Sequence, residues 1–173
     1  LARRERPFEI VCIDDGSELS SLRSLERFAQ QTPSLRLLHL DHAGGLSAAL
    51  TVGIAAARGE LVAVIESSGQ YLPEQIPWLV ERLARADLVY GRRQRSRPPK
   101  LVQAVAQLPR RLLLGLEARD PDCLFWAARR EAVAGLDLAP GMHRLLGSLV
   151  ATRGYRVAEM HVDHNSAAAG QSF

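Results

Sequence analysis

The sequence predicts an α/β fold in which parallel strands are joined by helical crossovers. Three observations predict it. Short apolar runs recur at 8–13, 35–40, 61–65 and 87–90, the first of them β-branched. Segments of helical period separate them, and parallel neighbours need such crossovers where hairpins do not. Three of the runs end in polar residues, the pattern of an open sheet that gathers ligands at its carboxyl edge.

The elements follow in order. Phe8-Glu9-Ile10-Val11-Cys12-Ile13 is a strand closed by Asp14-Asp15-Gly16-Ser17, and its continuous apolar character predicts burial on both faces. Ser17 is suited to cap the next helix, where Leu19, Leu22, Leu25, Phe28 and Ala29 recur at helical spacing before Pro33. Leu35 to Leu40 is the second strand. Gly44-Gly45 turns into a small-residue helix over 46–58, with Gly59 as its stop. Leu61-Val62-Ala63-Val64-Ile65 is the third strand, wholly apolar. Pro73 sits in the first turn of a helix reaching about Arg85, and Asp87-Leu88-Val89-Tyr90 is the fourth strand. Right-handed crossovers then make the first 90 residues βαβαβαβ.

The second half is less regular. Residues 101–116 read as an apolar helix broken near Pro109, and 123–127 as a strand. An amphipathic helix is predicted over 142–153 with Gly154 as its stop. The alternating run 155–162 reads as a half-exposed strand, and the tail from Asn165 as loose.

Composition narrows the class. The chain has 173 residues, 47% hydrophobic and 24% charged, which fits one globular domain and excludes a disordered or disulfide-stapled chain. It begins Leu1-Ala2-Arg3-Arg4, without Met or a signal-peptide pattern, and reads as a fragment. The net charge is only +3, yet Arg92, Arg93, Arg95, Arg97, Lys100, Arg110 and Arg111 fall in one stretch without an acid. Such a block can be a solvated loop, or can face phosphates or an anionic membrane surface. Aromatics at 5% supply few stacking platforms, so nucleic acid is not the expected partner. Cys12 and Cys123 have no metal-ligand spacing and read as buried free thiols of a reducing compartment. No apolar run reaches the ~20 residues of a membrane helix. The 101–116 segment could lie on a membrane surface, though a core helix is the simpler account.

Three strand ends carry candidate chemistry: Asp14 and Asp15; Glu66-Ser67-Ser68-Gly69-Gln70; and Gly91-Arg92-Arg93. Alone, each has an ordinary explanation as a turn and cap, a polar loop or a surface pair. Together they suit a ligand with a sugar or base, a diphosphate and a cation.

The run Phe8 to Ser17 resembles the second strand and Asp-Asp-Gly-Ser turn of family 2 glycosyltransferases. Gly44-Gly45-Leu46-Ser47-Ala48-Ala49-Leu50 resembles that family's small-residue helix. Val89-Tyr90-Gly91-Arg92-Arg93, Arg119-Asp120-Pro121-Asp122-Cys123 and Gly141-Met142-His143-Arg144 are similar to its polyprenyl-phosphate (dolichol-phosphate mannose synthase-like) branch. The resemblance covers most of the chain. It implies a GT-A fold, a nucleotide-diphosphate-sugar donor and inverting transfer, often to a lipid phosphate at the cytoplasmic membrane face. The donor half would be 1–93 and the acceptor-side half 94–173. The resemblance places Asp14 and Asp15 at the nucleoside, Arg92 or Arg93 at phosphate, and Ser68 and Gln70 in the donor site. Asp120, Cys123, His143 and Arg144 match acceptor-side motifs.

The chain also departs from the family. Where the metal-binding Asp-x-Asp would stand it has Glu66-Ser67-Ser68. Mg²⁺ or Mn²⁺ is expected of the family; here Glu66 is the one carboxylate left to ligate it, and a serine hydroxyl is a poor replacement for the second. Ala43 replaces an Asn, Leu124 a Gly, and Asn165-Ser166-Ala167-Ala168-Ala169 a basic tail. The family's first strand is missing, and 1–6 read as the end of the helix after it. Arg92 and Arg93 could offset diphosphate charge in the cation's stead. A lipid phosphate acceptor, already an anion, needs no general base, whereas a sugar hydroxyl would. The alternative is a catalytically inactive relative that binds a nucleotide sugar, a lipid or a protein.

Overall fold

In a computed structural model, residues 7–93 and 123–163 are described, with the side chain of Arg93 excepted. The predicted helix at 101–116 and most of the cationic block lie outside the described residues. The chain forms two compact units. Among the described residues, the first holds 7–60 and 134–143, and the second 61–93, 123–133 and 144–163.

In the first unit, β1 (Ile10–Asp14) and β2 (Leu35–His39) pair in parallel, Ile10 opposite Leu35 and Asp14 opposite His39. The crossover between them is α1 (Leu19–Gln31). Its N-cap is Glu18 without a side-chain cap, so Ser17 does not cap it; the Ser17 amide donates instead to Asp14. The helix α2 (Gly45–Ala56) ends at Ala57 in extended backbone, short of Gly59. It packs on β1: a Cβ added at Gly53 would lie 3.4 Å from Ile13. Its buried stripe is Ser47, Leu50 and Ile54, at helical i, i+3, i+7 spacing. Gly44 is the N-cap of this helix, and a Cβ there would come within 2.6 Å of the Ala48 Cβ, closer than a side chain allows.

In the second unit, β3 (Leu61–Ile65), β4 (Leu88–Arg93), β5 (Phe125–Arg129) and β6 (Val157–Val162) form one sheet in the order β3-β5-β4-β6. The sequence places these runs in one mostly parallel sheet. Parallel pairing holds for β1 with β2 and for β4 with β6, but β5 enters antiparallel between β3 and β4. Strand β5 is also the most enclosed, with Phe125, Trp126, Ala127 and Ala128 each 1% exposed or less. Burial on both faces, expected of the apolar runs, belongs to this strand and to β4, where Leu88, Val89 and Tyr90 are buried; β1 and β3 are only partly covered, and Ile10 and Ile65 are exposed.

A short 3₁₀ turn (Pro73–Gln75) leads into α3 (Ile76–Arg82), which lies over β4 and β5 with Leu79 fully buried. Tyr71 stacks on Phe125 at 5.3 Å between ring centroids. The core around them includes Leu83, Val89, Cys123 and Val162. Gly91 is required by close approach, since a Cβ would sit 2.8 Å from the Phe125 carbonyl oxygen. The helix α4 (Arg130–Val133) follows β5 directly. The predicted 142–153 helix is a 3₁₀ turn (Met142–Leu145) followed by α5 (Leu146–Thr152), and Gly154 stops it with φ +88°.

Candidate functional site

The acidic end of β1 is held in place by protein hydrogen bonds. Asp14 is 7% exposed; its Oδ1 accepts the Ser17 amide at 3.1 Å and its Oδ2 lies 3.4 Å from His39 Nδ1. Hydrogen bonds from Ser17 hold the Asp14 carboxyl below the ordinary range against its burial, and His39 acts in the same direction. Asp15 reaches the glycine turn, its Oδ1 accepting the Gly44 amide at 2.7 Å. The two acids thus join the ends of β1 and β2 to the start of α2. Carboxylates so ordered are acceptors for hydroxyl or N–H donors, the groups a nucleoside presents.

A second polar cluster in the same unit joins α2 to the 134–143 segment. Ser47 Oγ lies 3.0 Å from His143 Nδ1 and accepts the His143 amide at 3.3 Å. One turn on, Thr51 Oγ1 accepts the Leu138 amide at 3.1 Å. The sequence singles out His143 but not its partner: the two residues are 96 positions apart, and Ser47 reads as one more small residue of α2.

In the second unit, the turn after β3 carries Glu66, Ser67, Ser68 and Gln70, with Gly69 at φ +72°. Glu66 is exposed. The Ser68 hydroxyl oxygen is buried and has no hydrogen-bond partner among the described residues, an arrangement that a ligand oxygen or N–H would complete. Glu66 and one hydroxyl make an incomplete shell for a hard cation, which takes six or more oxygens. Among the described residues no group of three or more His, Cys, Asp or Glu could hold a metal ion. These side chains therefore do not fit a metal site of their own.

Arg92 belongs to β4, not to a loop after it, because parallel pairing with β6 extends through Arg93 and sets Arg92 opposite His161. The two side chains are hydrogen-bonded. Sequence reasoning missed His161, although its place on the alternating 155–162 run carries the signal. The end of β6 is fastened by Gln75, 2% exposed, whose amide donates to Asp163 Oδ2 at 3.0 Å and whose Oε1 accepts the Asp163 amide at 3.0 Å.

Of the acceptor-side residues, Cys123 is a core residue at 1% exposure, from which its thiol meets no solvent; its Sγ lies 3.8 Å from the Phe125 carbonyl oxygen. Neither cysteine is part of a disulfide. Cys12 is only half-buried, and burial followed by the Asp14 charge pushes its thiol up. His143 is half-buried in the first unit and Arg144 exposed in the second. Asp120 and the side chain of Arg93 lie outside the described residues. No helix among the described residues is long and apolar enough to cross a membrane.

Comparison with known proteins bears on this arrangement. The profile of "Glycosyl transferase family 2" matches residues 1–134. The chain is 28% identical over 174 residues to the dodecaprenyl-phosphate galacturonate synthase of Rhizobium johnstonii, covering 95% of this chain and 52% of that protein. It is 30% identical over 176 residues to an undecaprenyl-phosphate 4-deoxy-4-formamido-L-arabinose transferase of Pseudomonas aeruginosa, covering 96% and 51%. The chain thus spans about half the length of the curated relatives it matches. Among solved structures, glucosyl-3-phosphoglycerate synthase of Mycobacterium tuberculosis, in complex with Mn²⁺, UDP-glucose and phosphoglyceric acid, superposes with a TM-score of 0.62 at 22% identity, over 90% of this chain and 60% of that one. The shared architecture is the GT-A fold. The chain belongs to glycosyl transferase family 2.

Proposed function

We propose that this chain transfers a sugar from a nucleotide-diphosphate donor to a polyprenyl phosphate, with inversion, at the cytoplasmic face of a membrane. The observation that carries it is the match over 95–96% of the chain to proteins named for polyprenyl-phosphate sugar products. The ordered carboxylates of Asp14 and Asp15 and the guanidinium of Arg92 are compatible with it.

On this reading Asp14 and Asp15 accept hydrogen bonds from the nucleoside, and Ser68 and Gln70 bind the donor. Arg92 pairs with a donor phosphate and stabilises charge growing there as the sugar leaves. A phosphate oxygen of the acceptor attacks the anomeric carbon from the face opposite the nucleoside diphosphate. One C–O bond forms, the bond to the diphosphate breaks, and the electron pair leaves with the diphosphate. The attacking oxygen is already an anion, so no proton is removed. His143 and Arg144 are assigned to the acceptor, and no step is routed through a metal.

Calorimetry with UDP- and GDP-sugars, with and without Mn²⁺, followed by turnover on undecaprenyl phosphate, tests this. A donor that binds and a polyprenyl-phosphate sugar of inverted configuration are expected. Donor binding without transfer to any acceptor would overturn the proposal in favour of a nucleotide-sugar-binding protein; binding of no nucleotide would remove the donor site as well.

A further inference from the structure

We infer that Ser47 fixes His143 in the tautomer protonated at Nε2, so that His143 serves the transfer as a hydrogen-bond donor to an anionic acceptor oxygen and not as a general base. The role at the acceptor rests on the transferase reading above; the tautomer does not.

A serine hydroxyl has one hydrogen to give and two lone pairs to receive. Ser47 is 3% exposed and sits on the buried stripe of α2, so water does not satisfy it. Among the described residues its hydroxyl has two partners, both in His143: the backbone amide at 3.3 Å and ring Nδ1 at 3.0 Å. The amide can only donate, so it occupies a lone pair of Oγ. Among the described residues the hydroxyl hydrogen then has one acceptor within reach, Nδ1. A hydrogen on Nδ1 would leave the hydroxyl hydrogen buried and unpaired, the arrangement that folded proteins avoid. The neutral ring therefore carries its hydrogen on Nε2.

The geometry does more than choose the tautomer. Two bonds from one oxygen to the backbone and the ring of the same residue fix both the position and the rotation of the imidazole. The second anchor, Thr51 to the Leu138 amide at 3.1 Å, holds the segment that leads to His143 one helical turn farther along α2. Second partners that orient an imidazole and set its tautomer recur wherever histidine does chemistry. Ser47 is thus a positioning residue acting through His143.

The consequence concerns the class of acceptor. An imidazole with its hydrogen on Nε2 and its Nδ1 lone pair engaged by Ser47 has no basic nitrogen to offer a substrate hydroxyl. It can only donate there, which suits an acceptor that arrives deprotonated, an oxyanion such as a phosphate monoester.

Long-range ¹H–¹⁵N spectra of the ¹⁵N-labelled chain decide the tautomer without any variant. The His143 signals, assigned by their loss in His143→Gln, should show a bare Nδ1 and a protonated Nε2; a protonated Nδ1 overturns the inference. Kinetics with a sugar donor and undecaprenyl phosphate decide the role. Glutamine places an N–H near the position of Nε2 and asparagine near Nδ1. His143→Gln should therefore lose less activity than His143→Asn, the two differing by about tenfold, one hydrogen bond's worth. Ser47→Ala should mix the tautomers and raise KM for the lipid phosphate about tenfold, and Ser47→Thr, which keeps the hydroxyl, should restore both. Equal loss in His143→Gln and His143→Asn would overturn the donor role. A chain that transfers sugar to no acceptor would overturn the acceptor assignment along with the transferase reading, while the spectra would still decide the tautomer.

Discussion

The polar turns after β1 and β3 are alike in sequence and different in construction. In the first, Asp14 and Asp15 are tied to Ser17, His39 and Gly44, all within one unit. In the second, Glu66 is exposed and the buried Ser68 oxygen has no hydrogen-bond partner among the described residues. A turn whose acceptors are already satisfied keeps its shape without a ligand, and its residues serve folding and binding together. A turn with an unsatisfied hydroxyl gains little stability from that group, which finds its use only when a ligand arrives. Substitutions in the two turns should therefore separate stability from activity.

The largest effect is expected from Asp14→Ala, which strips the Ser17 amide and His39 of a buried acceptor and should cost about 1–3 kcal/mol of stability. Calorimetric unfolding measures it, and a loss too small to detect would remove the contrast between the turns.

The acid limb of stability comes next. The folded-state value of Asp14 lies below its ordinary 3.8, so its contribution is fully present above that value and is lost as pH falls through the folded one. Glu9, lowered by the Arg58 amide and then by Arg36, and Asp87, lowered by Arg156, act in the same sense. Stability should therefore decline as pH drops below about 4. Asp14→Asn should flatten that decline, and an unchanged slope would show that Asp14 does not contribute to it.

Asp15→Ala is expected to cost less, about 0.5–1.5 kcal/mol, since it loses one hydrogen bond at a half-buried position. It should weaken nucleotide binding as well, which titration with the nucleoside diphosphate reads. Ser68→Ala should have the smallest effect on stability, within about 0.5 kcal/mol, because the folded chain gives its hydroxyl no partner to lose. A destabilisation as large as that of Asp14→Ala would break the comparison; a loss of donor binding at unchanged stability would sharpen it.

Much of the first 90 residues is legible in the sequence because its strands are short apolar runs and its helices carry periodic leucines or small residues. The third apolar run predicted at 61–65 is β3 over the same residues. Helix ends are less legible: Ser17 has the chemistry of a cap but turns back to Asp14, and a local preference yielded to a hydrogen bond with a buried carboxylate. Arg92 falls beyond the strand that the run 87–90 predicts. The structure keeps it in β4 because β6 supplies backbone partners through Arg93. Cys123 matched an acceptor-side motif, yet it occupies a packing position beside Phe125, and no local signal distinguishes the two.

By itself the sequence determined the α/β class, the order of the elements up to β4, and a set of motifs specific enough to place the chain in its family. These are local properties of periodicity, turn chemistry and short-range spacing, and they are written in consecutive residues. Only the tertiary structure decided that β5 enters antiparallel between β3 and β4, that Arg92 meets His161, and that Ser47 meets His143. Pairing of that kind depends on which distant backbone groups and side chains satisfy one another once water is excluded, and no window along the chain contains both partners.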